Sequence, residues 1–215
     1  MNMKKTAFLL LLLAGSLSVL AQPDKYRKVM QQRIGELDSA LQKGSMGSLA
    51  NAFERIAEAE KNQWLPYYYA SYCQVMTALL EQDKAKVDPL ADKAEALIKK
   101  AAALAGESNS EINVIYSMIA TAHLTVDPPA RWMQYGQASA AFLEKAKQQD
   151  PTNPRPVYLE GQSKFYTPEQ FGGGKAAAAV VLEQSLRLFD QFKPASELHP
   201  TWGKTSAQYF LAQCK

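Results

Sequence analysis

Residues 139–162 read SAAFLEKAKQQDPTNPRPVYLEGQ. Ser139, Leu143 and Ala146 follow one another at intervals of four and three, which puts them on one face of a helix. Pro151 closes that run. Asn153-Pro154 opens another, pairing a capping side chain with a proline whose fixed φ suits a first helical turn. Gly161 lies inside this second run, a small residue where a neighbouring helix can come close. The stretch therefore writes helix, tight turn, helix.

Reading outward, apolar residues recur at helical spacing almost everywhere, and prolines sit at segment starts or in loops. The pattern predicts helices near 24–43, 48–61, 65–82, 88–105, 110–125, 128–149, 154–166, 173–192 and 203–214, with Ser48, Asp88-Pro89 and Asp127-Pro128 among the starts. Alternating runs of the strand type are lacking, so the fold class is all-α. The small-large-small triad also recurs, as Ala52, Ile56, Ala59, as Ala94, Ile98, Ala101 and as Ala178, Leu182, Ser185. First members are 42, 45 and 39 residues apart, a period that separates a stack of helical hairpins from an irregular bundle.

These triads, with Pro151 after the second helix and Gly161 in the next, resemble the tetratricopeptide repeat. PYYYA at Pro66 to Ala70, together with DPTNPR and FGGG, is similar to exported bacterial proteins of that repeat class. The resemblance covers roughly residues 48–192. It implies a helical-hairpin solenoid with elongated loops inside the repeats, an N-terminal partner helix at 24–43 and a C-terminal capping helix. Glu160 and Lys164 depart from the repeat, which has apolar residues at those places, and Tyr116 stands where it has a small one.

Lys4 and Lys5, the apolar run from Ala7 to Leu13, and Val19-Leu20-Ala21 read as a cleaved secretory signal over residues 1–21. Residues 22–215 would then form one exported domain, periplasmic or secreted, with no membrane span. The chain carries 24 Lys and Arg against 21 Asp and Glu, interspersed, so no basic stripe marks a nucleic-acid partner. Cys73 and Cys214 are too far apart in sequence to declare a bridge, and Cys73 reads as a small buried residue.

Catalytic and metal motifs are missing. His123 and His199 are the two histidines, too few for a zinc site, and no G-x-S-x-G run holds a nucleophile. Glu54 and Glu58 share a helix face, yet nothing there would desolvate them, so they read as solvated. Gly172 to Lys175 superficially resembles a phosphate loop, but Glu169 stands where its first glycine belongs and Ala176 where its hydroxyl belongs. The run reads instead as an extended hairpin loop, with a single turn at Thr167 to Gln170 pinned by Phe171.

A binding role follows. In tetratricopeptide stacks the first helices line a concave groove, and the resemblance carries that groove onto Tyr67, Gln74 and Thr77, onto Ser110, Asn113, Ser117 and Thr121, and onto Arg155, Tyr158, Gln162, Phe165 and Tyr166. At least one of Tyr67, Tyr68 and Tyr69 should face outward, because consecutive helical residues point in different directions. The main expectation is a non-catalytic module that binds a protein or peptide partner, without cofactor or metal. The alternative is a small-molecule receptor or enzyme with a pocket in the concave face.

Overall fold

The computed structural model describes residues 24–105 and 109–215, so the expected signal at 1–21 lies outside the described residues. No strand occurs among them, and the chain is all-α as expected. The elements are α1 (24–35), α2 (Leu37–Gln42), α3 (Met46–Glu60), α4 (Trp64–Leu80), α5 (Lys84–Ala105) and α6 (Ser110–Leu124). Next come α7 (Pro128–Arg131), running through the π-helical turn Trp132–Gly136 into α8 (Gln137–Gln149), then α9 (Pro154–Tyr166), α10 (Lys175–Gln191) and α11 (Lys204–Cys214). No helix among the described residues is long and apolar enough to cross a membrane.

Side-chain caps set the starts of α6, α7 and α9. The side chains of Asn109, Asp127 and Asn153 accept from the backbone N–H of Ile112, Ala130 and Arg155, which satisfies donors that a helix start leaves open. Two expected starts are displaced. Ser48 lies inside α3, whose N-cap is Ser45. Pro89 lies inside α5, because Asp83 opens that helix earlier by accepting from Ala85, and Asp88 is drawn away to Arg131 and His123.

Each helix packs on its successor from α3 through α6, then α8 on α6 and onward to α11, while α4 also meets α6 and α9 meets α11. Three of the four triads face these contacts: Ala94, Ile98 and Ala101 are buried, as are Ala178, Leu182 and Ser185, and Leu143 and Ala146. The first is offset, since Ala59 is exposed and α3 buries Leu49, Ala50, Phe53 and Ala57 instead. A Cβ on Gly161 would lie 2.8 Å from Leu182 Cγ and 3.3 Å from its backbone nitrogen, so α9 and α10 touch through the missing side chain. Gly161→Leu should therefore lower stability by about 1–3 kcal/mol, read as a fall in melting temperature.

Helix α4 is buried on nearly every side. Tyr67, Tyr68 and Tyr69 are all buried, which corrects the expectation of an outward tyrosine. The reason is that α3, α5 and α6 surround the helix and residues 192–203 cover what they leave, so its apolar residues need no polar face. Beneath that cover, Arg155 donates through Nε to both Glu111 carboxylate oxygens at 3.0 and 2.9 Å and through Nη2 to one of them. Asn153 and the Tyr68 hydroxyl donate to the same carboxylate at 2.7 and 3.0 Å.

The Gly172–Gly174 run does not cradle anything anionic. Its three N–H groups donate to the carbonyls of Glu169, Pro168, and Lys164 with Thr167, within the loop and to the last turn of α9. A single turn does form, but as a 3-10 helix at Glu169–Phe171, shifted from the expected Thr167 to Gln170, and Phe171 is exposed and pins nothing.

Candidate functional site

The expected groove is not an open surface. Tyr67, Gln74, Ser110, Asn113, Ser117, Arg155 and Tyr158 are buried, Thr77, Thr121, Gln162 and Phe165 are half-buried, and of the twelve only Tyr166 is exposed. Their partners are internal: Tyr67 donates to Glu58, Asn113 to Gln149, and Ser117 shares a hydrogen bond with Ser139. Arg155 is spent on Glu111, and the Tyr158 phenol, pushed up to about 12 mainly by burial, is bonded to Ser206. The physical cause differs by position: α3 meets Tyr67 and α8 meets Asn113 and Ser117, while the segment between α10 and α11 lays Phe192 and Trp202 over Arg155.

Phe165 and Tyr166 instead belong to an aromatic ledge at the C-terminal end. Thr167 precedes Pro168 and takes an extended conformation, which ends α9 at Tyr166 and leaves both aromatics on its last turn. Tyr209 and Phe210 come from α11. The Phe165 ring lies 5.3 Å from Tyr166 and 5.4 Å from Phe210, Tyr166 lies 5.9 Å from Phe210, and Tyr209 lies 5.5 Å from it, all in edge-to-face arrangements. On each helix one ring turns in and its neighbour turns out. Phe210 is buried, whereas Tyr166 and Tyr209 are 71% and 60% exposed. Two large rings held in water by the buried Phe210 and the half-buried Phe165 make a surface suited to a flat apolar ligand. Tyr209 and Phe210 were missed in the sequence, where α11 was read as a cap; their adjacency on a short amphipathic helix was the available signal.

Other chemistry-bearing groups are committed elsewhere. His123 Nδ1 lies 2.7 Å from Asp88, its Nε2 is 3.6 Å from Asp92, and its ring stacks on Tyr135. Arg131 shares Asp88 and, as the main cause, holds its carboxyl down to about 2. Cys73 is a free buried thiol pushed far up by burial, and Cys214 is also free. No group of three metal-type ligands occurs among the described residues. Glu54 and Glu58 are not simply solvated but pair with Lys93 and Lys100 of α5. An open cavity of about 380 Å³ lies where α1, α2 and α3 meet, lined by Arg33, Lys43, Ser45 and Arg55, and it has no aromatic wall.

No family model and no curated protein matches the chain. Among solved structures, the HusA haemophore from Porphyromonas gingivalis is similar, with a TM-score of 0.77 and 36% sequence identity over 88% of this chain and 92% of that one. That relative is named for carrying haem, a small molecule. The finding overturns the main expectation of a protein- or peptide-binding module and backs the alternative of a small-molecule receptor. With more than a third of the residues identical along nearly the whole length of both proteins, this chain belongs to the family of the HusA haemophore.

Proposed function

We propose that this protein is an exported carrier of a haem-type tetrapyrrole and that the ledge of Phe165, Tyr166, Tyr209 and Phe210 receives the ring. The observation that carries the reading is the kinship with a haemophore across both chains. The ledge supports it by offering what such a ligand needs. A tetrapyrrole buries two apolar faces, and exposed rings set on a packed aromatic base can stack on one of them without first being uncovered.

Ligation of the iron is a separate matter of donor atoms. His123 is buried, hydrogen-bonded through Nδ1 to Asp88 and stacked on Tyr135, which makes it a poor axial ligand without rearrangement. The exposed phenols of Tyr166 and Tyr209 have the donor type that haem iron accepts from tyrosine. The succession of helices, each packed on the next, with further contacts between α4 and α6 and between α9 and α11, supports reading the scaffold as a tetratricopeptide-like stack.

Titrating the purified protein with haem tests the reading. The expected result is a saturable shift of the haem absorption band with a Kd of about 1 μM or tighter, accompanied by quenching of tryptophan emission. An absorption spectrum identical to that of free haem throughout the titration would sink it.

A further inference from the structure

Residues 192–203 leave α10, cross to the N-terminal half of the molecule and return to start α11 at Lys204. Leu198 is buried in the core built by α3 to α6, and its carbonyl accepts from the Tyr69 hydroxyl at 2.9 Å. Trp202 stacks on Tyr72 with ring centres 4.5 Å apart and donates its indole N–H to the Tyr68 hydroxyl at 2.9 Å. Glu197 accepts from Gln31 of α1 at 2.6 Å. His199 lies edge-on to Trp64 at 5.7 Å, and its Nδ1 is 2.7 Å from the Ser196 hydroxyl. The next residue after Trp202, Gly203, has φ +112°, and a Cβ there would lie 2.9 Å from Phe189, so the turn into α11 has one close-packed geometry. The position of α11 thus depends on how this segment is seated.

We propose that residues 192–203 are an acid-released strap: seated on α4 with His199 neutral, they hold α11 and its ledge residues Tyr209 and Phe210 against α9, and protonation of His199 unseats them. The ligand-release half of this inference rests on the haem reading above; the unseating itself does not. His199 is the strap group whose ordinary range lies near neutral pH, and the charges acting on it come from two other elements. Glu111 of α6 favours the imidazolium and Arg155 of α9 opposes it, while α4 presents the phenols of Tyr68 and Tyr69 to the strap and Glu197 is engaged by Gln31. Those two charges are themselves a buried pair, so neither acts on His199 alone. Burial is the leading effect and lowers the His199 pKa from its ordinary value. A histidine depressed in the seated form stabilises it above about pH 6.5, and that stability is lost as pH falls through the depressed value.

The chain has two histidines, so the His199 imidazole can be followed directly by NMR together with the strap amides. In the free protein, hydrogen-exchange protection at Leu198 and Trp202, corrected for intrinsic rates, should fall between pH 7.5 and 5.5 with the same midpoint as the His199 ring. Affinity for iron protoporphyrin should weaken over that range by up to about ten-fold, the limit set by an unperturbed histidine near 6.5. His199→Gln should keep both properties flat. Protection that stays constant, or that falls with a midpoint unrelated to the His199 ring, overturns the strap, whether or not the variant folds. Unseating in a protein that shows no porphyrin affinity at pH 7.5 upholds the strap and overturns the haem reading. Unseating with unchanged affinity overturns the link to the ledge.

Discussion

Arg155→Leu is expected to destabilise the protein by about 3–5 kcal/mol, measured as a shift of the urea unfolding midpoint. Arg155 is fully buried and supplies Nε and Nη2 to the Glu111 carboxylate. Removing it leaves that carboxylate underground with only Tyr68 and Asn153 as donors. The guanidinium also covers the Phe192 ring at 4.6 Å, the first residue of the strap, so packing is lost with the charge. Glu111→Leu combined with Arg155→Leu should recover a substantial part of the loss, because no lone charge then remains in the core. Arg155 Nη1 supports that expectation: it is buried without a hydrogen-bond partner among the described residues, so the native pair already bears an uncompensated donor. Equal destabilisation in the single and double variants would show that packing on Phe192 and Trp202, not the ion pair, holds the junction.

This pair also shows where reading the sequence reached and where it stopped. Asn153-Pro154 announced the start of α9 because the capping oxygen and the fixed proline φ act within a few residues, and Gly161 announced close packing because a missing side chain has one obvious use. Glu111 and Arg155 lie 44 residues apart, and nothing local says that they meet. Arg155 was read as lining a groove because the register of a repeat gives a residue's angular position on its helix, but not what covers it. The cover comes from residues 192–203, whose prolines and polar residues look like a linker. Phe192, Leu198 and Trp202 within that linker were the legible hint, since exposed loops seldom carry three large apolar side chains in twelve residues. The same covering buries Tyr68 and Tyr69, while α3 and α5 cover Tyr67, so none of three consecutive tyrosines is left facing solvent.

Tyr166→Ala and Tyr209→Ala should each weaken haem binding by about 2 kcal/mol, roughly thirty-fold in Kd, while leaving the melting temperature unchanged. Both rings are mostly exposed, at 71% and 60%, so truncation creates no cavity and removes little that the fold uses. Stability and affinity thereby separate, which a change at the buried Phe210 beneath them could not achieve. Tyr166→Phe divides the two ways in which the side chain could act. It keeps the ring and its edge-to-face contacts with Phe165 and Phe210 at 5.3 and 5.9 Å, so stacking survives. A phenol bound to iron would instead be lost, with a changed haem spectrum as well as a weaker Kd. Wild-type affinity in both alanine variants would remove the ledge from the haem site and turn attention to faces that the strap covers, where Trp202 and Phe192 flank Arg155 and Tyr72 stacks on Trp202.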